Sequence, residues 1–421
     1  MKVEQCRICH SKSLQLILDL GVTALANSFV KPGEVSADEP KFPLRLVLCS
    51  DCGLVQIDEE VAPEILFKDY IYVSGTSDLV YRHGDWLAHH FTQTYHMGVD
   101  DLIVEAASND GTVLQAFKRK GVRTLGIEPA ANIARRANEA GIETVCEFFN
   151  VATATQVRQK HGPAKLFMGR HVLAHVADLH GFVGGIKTVL GPDGVGVVEM
   201  PYLLHFFQNL EYDTVYHEHL CYFGVRVLRK LFSRFNLDII DVREVEIHGG
   251  SIVVSLQHKG GPHTVAPVVD AMIKREEALG LHLQETWNAY ARKVQENKVA
   301  ILAELHRLKA AGQRVVGYGA PAKGNTLLAY CGIGTDLLAY IVDKSPYKQG
   351  LLTPGHHIPV HDPAKLLQDQ PDVVFILAWN FAPEIVRQQA EFRNRGGRFM
   401  VPIPAPRFVD ESVQSHAGAK S

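Results

Sequence analysis

"EAASNDGTVL", Glu105 to Leu114, distinguishes between two kinds of α/β sheet. It follows an apolar run and precedes an amphipathic segment, so it is predicted to be the first strand-to-helix turn of the sheet. A nicotinamide-binding domain carries G-x-G-x-x-G at this place, whereas this turn has the single glycine Gly111. Its acidic side chains suit a cofactor with an ammonium group and no pyrophosphate.

The surrounding sequence alternates apolar runs with amphipathic stretches, which predicts a doubly wound α/β sheet. Five strands are predicted in "DLIVEAAS", "RTLGIEP", "ETVCEFF", "KLFMGRHVLAHV" and "GVGVVEMPY". The runs "LDIIDVREVEI" and "GGSIVVSLQHKG" then follow with only a Gly-Gly turn between them, which predicts a terminal hairpin. Seven strands ending in a hairpin are the arrangement of class I S-adenosylmethionine-dependent methyltransferases.

The candidate cofactor residues lie where predicted strands end. The first turn supplies Glu105, Ser108, Asn109, Asp110 and Gly111. Glu128 ends the second strand, where an acid accepts ribose hydroxyls, and Phe148 or Phe149 after the third is placed to flank an adenine. Both glutamates could instead be solvated strand ends, but open α/β sheets bind ligands at the edge that the two share.

The first sixty residues contain two C-x2-C pairs, Cys6 with Cys9 and Cys49 with Cys52. Four thiolates in this pattern predict a closed, structural zinc site, with strands formed by the chain between the pairs. Redox dithiols are the alternative, but neither pair follows a βα pattern. The module is expected to serve folding or to cover the substrate.

The composition is that of an ordinary globular protein, with 421 residues, 46% hydrophobic and 21% charged residues and a net charge of -3. No basic bias indicates nucleic acid or a membrane surface as a partner. No apolar run reaches the ~20 residues that span a bilayer, and no signal-peptide pattern opens the chain. We expect a cytoplasmic protein that is a monomer or a weak homo-oligomer.

The last third is predicted to be a long helix, "ETWNAYARKVQENKVAILAELHRLKAAG", followed by a Rossmann-like sheet. In "RVVGYGAPAKGNTLL" a strand, a glycine-containing turn and a helix start suit a diphosphate. The candidate substrate residues are Gly319, Ala320, Lys323, Asp343 and Lys348. The expected divisions are a zinc module at 1–62, a methyltransferase domain at 63–260, a helix with the Rossmann-like domain at 261–409 and a disordered tail at 410–421.

Several motifs in order resemble the nucleotide-sugar 3-C-methyltransferases of deoxysugar biosynthesis, from Cys6 to about Pro402. They are the four-cysteine module, "DYIYVSGTSDL", "EAASNDGTVL", "HVLAHV", "YHEHLCYF", "EIHGGS", "GYGAPAKGNTLL" and "VDKSPYKQGLLTPGHHIPV". The resemblance implies methylation at C3 of a nucleoside-diphospho-4-keto-6-deoxy sugar, with structural zinc and S-adenosylmethionine as cofactors. It implies an active site containing His219 as base, Tyr216, Glu218, His175 and one of Tyr70 and Tyr72.

These residue types suit the implied chemistry. A C4 carbonyl makes the C3 hydrogen acidic, and a neutral imidazole is a suitable base at physiological pH. His217 is expected to face away from His219. A catalytic zinc on those two histidines is an alternative without an evident third ligand.

One departure from the family pattern is Gly169, Arg170 and His171, where an Asn-rich pair is expected. It puts the sugar in question, and it leaves a non-catalytic nucleotide-sugar-binding protein as an alternative. A sugar or metabolite O-methyltransferase would need the same cofactor site. An NAD-dependent oxidoreductase is disfavoured because the dinucleotide fingerprint is missing from the last third.

Overall fold

The computed structural model describes residues 1–36, 38–66 and 78–409. The predictions for Tyr70, Tyr72 and the tail 410–421 therefore lie outside the described residues. Three sheets, of four, seven and six strands, follow one another along the described chain. A single cluster of buried apolar side chains extends from Cys6 through the central sheet to Ile403, so the three sheets share one continuous core.

The first sheet forms around the cysteines, as the sequence predicts. Its antiparallel strands are β1 (Leu14–Ala24), β2 (Lys41–Cys49) and β3 (Val55–Ile57). The four Sγ atoms of Cys6, Cys9, Cys49 and Cys52 lie within 4.8 Å of one another. Four sulfurs at this spacing fit one tetrahedrally bound zinc ion with no position left open for substrate. The fourth strand of this sheet, Cys221–Tyr222, comes from far along the chain.

The central sheet has seven strands, and its terminal hairpin is confirmed. Five strands are parallel and precede the hairpin: β4 (Leu102–Ala106), β5 (Arg123–Ile127), β6 (Thr144–Val145), β7 (Ala164–Arg170) and β8 (Leu190–Pro201). After β9 (Cys221–Tyr222) come the hairpin strands β10 (Leu237–Val245) and β11 (Ser251–His258). The spatial order β10-β11-β8-β7-β4-β5-β6, with β11 antiparallel to both neighbours, is that of a class I methyltransferase.

Helices cover this sheet and connect its strands. They are α1 (Pro63–Leu66), α2 (Asp78–Thr94), α3 (Thr112–Arg119), α4 (Ala131–Glu139), α5 (Val151–His161), α6 (Leu179–Val189), α7 (Leu203–Gln208), α8 (Val225–Ser233) and α9 (Val268–Ala278). Short 3-10 turns form at Leu173–His175, Tyr212–Thr214 and Ile247–Gly249.

Two predicted strands are shorter than expected. "ETVCEFF" contributes only Thr144–Val145. The strand predicted through "KLFMGRHVLAHV" ends at Arg170, because His171 adopts a left-handed conformation with φ 49° that an extended strand cannot continue. His175 therefore lies on the 3-10 turn Leu173–His175 beyond the strand end, which corrects the predicted position.

The last sheet follows the long helix α10 (Gln284–Ala310), whose buried face contains Trp287, Tyr290 and Val294 as predicted. Its strands are β12 (Val315–Tyr318), β13 (Ile341–Val342), β14 (Val360–His361), β15 (Val373–Ile376), β16 (Arg398–Val401) and β17 (Arg407–Val409). They lie in the order β14-β13-β12-β15-β16-β17, and the helices are α11 (Ala322–Cys331), α12 (Lys365–Asp369), α13 (Ala382–Gln388) and α14 (Ala390–Asn394). All neighbouring strands are parallel except β17, as in a Rossmann-like sheet with an antiparallel edge.

None of the helices in the three described ranges is both long enough and apolar enough to cross a membrane.

The four-cysteine cluster generates a test of stability. Because structural zinc contributes roughly 10–16 kcal/mol to the folding of small zinc peptides, we expect Cys52→Ser to lower the midpoint of the first thermal unfolding transition by about 5 °C or more. A chelator should do the same to the wild type and have little further effect on the variant. Cys146→Ser, at an exposed cysteine outside the cluster, is the matched control. An unchanged midpoint in Cys52→Ser with bound zinc still measured would contradict the assignment.

Candidate active site

The first turn of the central sheet is bent by three residues with positive φ. Ala107 and Asn109 both have φ 52°, and Gly111 has φ 77°. Left-handed conformations are uncommon for residues other than glycine, so other contacts must stabilise this turn. Glu128 supplies them: its Oε2 accepts the Asn109 N–H at 3.0 Å and its Oε1 accepts the Ala130 N–H at 2.9 Å. Glu128 thus braces the turn from the end of β5.

The other predicted cofactor residues lie at or beside this turn. Asp110 Oδ1 accepts the Thr112 hydroxyl at 2.7 Å at the start of α3, and Ser108 is buried beside Gly126. The two candidate phenylalanines, Phe148 and Phe149, differ in solvent exposure. Phe149 packs against Phe167 with ring centroids 4.8 Å apart, whereas Phe148 is 60% exposed and accessible to a ligand.

The carboxyl ends of β4, β7 and β8 bring together five charged or titratable side chains, which we call the sheet-edge cluster: Glu105, Arg170, His171, Glu199 and His83. Arg170 Nε donates to Glu105 Oε1 at 2.9 Å. Next to this pair, Glu199 contacts His171 Nε2 through one oxygen and His83 Nε2 through the other, each at 2.9 Å. Both glutamates are fully buried, so the charges of this cluster lie beneath the surface of the ligand-binding edge.

The two buried carboxylates differ in how completely they are compensated. Burial raises the pKa of Glu105 to about 7, although Arg170 opposes this shift. Burial would also raise the pKa of Glu199, but the hydrogen bonds from His171 and His83 outweigh it and hold that pKa well below its usual range. Glu105 Oε2 has no hydrogen-bond partner among the described residues. An unpartnered buried carboxylate oxygen at the cofactor turn fits the ammonium group of S-adenosylmethionine.

His219 lies on the segment 214–222, which we call the active-site loop. Its Nδ1 lies 3.1 Å from the Thr214 carbonyl oxygen, and its Nε2 lies 2.8 Å from the Tyr216 hydroxyl. A carbonyl oxygen only accepts hydrogen bonds, so Nδ1 carries a proton. In the neutral ring the lone pair is then on Nε2, where it accepts a hydrogen bond from the Tyr216 hydroxyl. The loop therefore selects, for the neutral imidazole, the tautomer that a general base requires.

His175 completes a group of three rings with His219 and Tyr216. The His175 and His219 rings are 4.8 Å apart between centroids and inclined at 69°. Burial of the imidazole lowers the pKa of His175 to about 4, so this ring is neutral at physiological pH. His175 Nδ1 has no partner within the described parts of the chain, which leaves it available to a bound substrate.

His217 and Glu218 of the loop point toward the zinc module. Asn27 Nδ2 donates to Glu218 Oε1 at 2.7 Å. His217 is buried, with its Nε2 lying 3.1 Å from the Pro43 carbonyl oxygen, and it faces away from His219 as predicted. The described residues contain one cluster able to bind a metal ion, the four cysteines, so they offer no support for a catalytic zinc on His217 and His219.

The predicted substrate residues of the last sheet come together at the end of β12. Asp343 Oδ2 accepts the Ala320 N–H at 2.6 Å, and Lys348 Nζ donates to the Ala320 carbonyl at 2.8 Å. Gly319 has φ 83°, a conformation that glycine adopts readily.

Lys323 occupies a different environment from the other substrate candidates. Its Nζ donates to Asn380 and lies 4.2 Å from the centre of the Trp379 ring. Burial lowers the pKa of Lys323, while Asp213 and Glu211 raise it. Its charge is thus already compensated by the protein.

Sequence reasoning missed Asn27, Thr214, Glu199 and His83. Each contacts a site residue across a long stretch of chain or through a backbone carbonyl, and no local motif signals such a contact.

Three family models match the chain. Residues 6–67 match "Putative zinc binding domain", residues 99–242 match "Methyltransferase domain" and residues 246–404 match "C-methyltransferase C-terminal domain". The sequence is 35% identical over 407 residues to C-methyltransferase NovU from Streptomyces niveus, which covers 97% of each chain.

Two solved structures each resemble less than half of the chain. An S-adenosylmethionine-dependent methyltransferase from Clostridium acetobutylicum ATCC 824 covers 47% of this chain and 96% of its own, with 12% identity and a TM-score of 0.35. Magnesium protoporphyrin IX methyltransferase (ChlM) from Synechocystis PCC 6803 covers 42% of this chain and 79% of its own, with 10% identity and a TM-score of 0.32.

The near full-length identity to NovU and the three family matches in order agree with the seven-stranded sheet and the four-cysteine cluster. The chain therefore belongs to the C-methyltransferase family, and it is an S-adenosylmethionine-dependent enzyme that transfers a methyl group to carbon.

Proposed function

We propose that this enzyme methylates C3 of a nucleoside-diphospho-4-keto-6-deoxy sugar, with His219 as the general base, in the formation of branched deoxysugars. The observation that carries the proposal is the state of His219, whose Nδ1 proton is directed to the Thr214 carbonyl and whose Nε2 lone pair faces the Tyr216 hydroxyl. A carbon acid next to a carbonyl is the acceptor that such a base suits.

The chemistry needs a carbanion at C3, and the protein's residues account for each proton. The C3 proton passes to the Tyr216–His219 pair, either directly to Nε2 or through the phenol as it gives its own proton to Nε2. The electron pair of the C–H bond moves into the C3–C4 bond and onto O4. S-adenosylmethionine supplies the electrophilic methyl group that C3 then takes.

The oxygen at C4 acquires negative charge in this step, so a nearby hydrogen-bond donor lowers the barrier. His175 is close enough to His219 to share one substrate with it. Burial lowers the pKa of His175 to about 4, and its ring hydrogen-bonds the Glu218 backbone, so the neutral imidazole offers Nδ1 to the substrate as a hydrogen-bond acceptor. We expect Glu218, whose Oε1 accepts a hydrogen bond from Asn27, to contact the sugar from the side of the zinc module. Tyr70 or Tyr72 remains a predicted sugar contact.

The nucleotide end of the substrate fits the last sheet. Gly319 and Ala320 form a turn next to Lys348, whose Nζ lies 5.4 Å from the Phe29 ring centre, and Asp343 lies on the other side of Ala320. We assign the diphosphate to the side of Lys348 and the ribose or base to Asp343. Lys323 is then a supporting cation, because its charge is balanced by Asp213 and Glu211.

This assignment divides the chain into a zinc module (1–62), a methyltransferase domain (63–260) and a nucleotide-binding domain (261–409), with the sugar between the last two. A cytoplasmic location, a monomeric or weakly associating state and the absence of nucleic-acid and membrane partners remain predictions from composition.

The first test is product analysis. Purified enzyme is incubated with S-adenosylmethionine and a panel of thymidine, guanosine and uridine diphosphate 4-keto-6-deoxy sugars, and products are identified by mass spectrometry and NMR. We expect one added methyl group at C3 and a loss of turnover of ~10²–10⁴-fold in His219→Ala, the usual contribution of a general base. His306→Ala, at an exposed histidine of α10, is the control. Full activity in His219→Ala would remove His219 as the base.

The second test separates carbon from oxygen methylation. In D₂O with S-adenosylhomocysteine in place of the methyl donor, the wild type should exchange the C3 hydrogen of the accepted sugar for deuterium, because proton removal precedes methyl transfer. Tyr216→Phe should slow this exchange, because proton transfer through the phenol is lost, and should shift its pH dependence, because Nε2 loses its hydrogen-bond donor. Methylation of the sugar without any C3 exchange would indicate an oxygen acceptor instead.

A further inference from the structure

The sheet-edge cluster contains a buried ion pair whose geometry is incomplete. Glu105 is fully buried, and one of its oxygens is bonded to Arg170 while the other has no partner among the described residues. A buried carboxylate oxygen without a donor is destabilising, because it has lost its hydrogen bonds to water without replacing them. A ligand that supplies the missing donor removes this destabilisation. The pair is therefore suited to bind an ammonium group.

The position of the pair identifies that ligand group. Arg170 ends β7, and Glu105 is the penultimate residue of the neighbouring strand β4, with Ala106 of β4 paired in register with Gly169 of β7. Glu105 lies two residues before the left-handed Ala107, at the turn where the cofactor of this fold binds. The Arg170 side chain is 10% exposed, so its charge lies inside the site and is not a solvated surface charge.

We infer that Arg170 and Glu105 together recognise the amino-acid end of S-adenosylmethionine, with the guanidinium binding the α-carboxylate and the second oxygen of Glu105 binding the α-ammonium. A guanidinium is planar and has five N–H donors in a fixed fork that matches a carboxylate. With Arg170 and Glu105 each facing an opposite charge of the zwitterion, the four charges alternate. Arg170 is thus a specificity residue for the cofactor.

The neighbouring residues explain why the cluster keeps two separate pairs. His171, the next residue along the chain, is bonded to Glu199 and not to Glu105, and its backbone N–H donates to the Glu199 carbonyl at 2.7 Å. Glu199 is further bonded to His83. Glu199 therefore has its own donors, and the hydrogen bond of Arg170 to Glu105 is separate from those of the two histidines to Glu199.

The test compares two ligands that differ in one group. Binding of S-adenosylmethionine and of its decarboxylated analogue is measured by titration calorimetry without any sugar acceptor, so the result does not depend on the proposed substrate. Loss of a charged hydrogen-bonding pair typically corresponds to about 10- to 100-fold in Kd. The wild type should prefer S-adenosylmethionine by this factor, Arg170→Met should lose the preference, and Arg170→Lys should regain part of it.

Removing Arg170 leaves Glu105 as an uncompensated buried charge, which lowers stability. If Arg170→Met does not fold, the same ligand preference is measured in the double variant Glu105→Gln/Arg170→Met, which removes both charges. We expect this variant to lose the preference for S-adenosylmethionine. His171→Asn is the matched control, since it disturbs the adjacent pair and should keep the ligand preference. An equal loss of affinity for both ligands in the Arg170 variants would overturn the inference, because Arg170 would then only neutralise Glu105.

The pH dependence of binding tests the Glu105 half. The charged groups facing Glu105 are Arg170, Glu199 and Asp110, and burial raises the pKa of Glu105 to about 7. Ammonium binding requires the ionised carboxylate, so affinity should rise as the pH increases through about 7, with proton release on binding. It should fall again above about 8, where the cofactor's own amino group loses its proton.

Calorimetry in two buffers of different ionisation enthalpy measures this proton release. Glu105→Gln should abolish the rise through pH 7 and keep the fall above pH 8. Constant wild-type affinity between pH 6 and 8 would show that Glu105 does not face the ammonium.

Discussion

The active-site loop depends on backbone hydrogen bonds to elements far away in the sequence. Leu220 N–H donates to the Ala174 carbonyl at 2.7 Å, and its own carbonyl accepts from Ile57 N–H at 3.0 Å. β9 then pairs with β3, with Tyr222 opposite Val55. The last sheet contributes the Thr326 hydroxyl, which donates to the Val215 carbonyl at 3.1 Å. The tautomer of His219 requires the Thr214 carbonyl in place, so all three sheets contribute to the state of one imidazole.

Electrostatics supplies a second constraint, which acts at the other end of the site. Two fully buried carboxylates at adjacent strand ends are costly unless each has partners, and the chain provides them from different elements. Glu199 is satisfied by histidines from the end of β7 and from α2, whereas Glu105 keeps an open oxygen. The buried carboxylate of β8, Glu199, thus has partners for both oxygens, whereas that of β4, Glu105, lacks a partner for one. This asymmetry is expected where a charged ligand binds.

Much of this architecture could be predicted from local patterns. Apolar periodicity gave the seven strands and the hairpin, and the spacing of the cysteines gave the metal site, because both signals depend on residues close together in sequence or on simple repeats. The points at which predicted strands end early were harder to predict. The end of β7 depends on a left-handed histidine, and "ETVCEFF" has the composition of a strand but pairs over only two residues. The partners of Glu218 and Glu199 come from remote segments, so no spacing rule finds them.

The zinc module both stabilises the fold and contacts the active-site loop. Zinc in a four-cysteine site has no open position and so cannot polarise a substrate. It nevertheless fixes the edge strand β3, to which β9 adds, and the hairpin that presents Asn27 to Glu218 and the Pro43 carbonyl to His217. His217 and Glu218 lie in a turn in which the His219 N–H donates to the Tyr216 carbonyl at 2.9 Å. Because both turn residues contact the module, the module also fixes the backbone from which His219 extends.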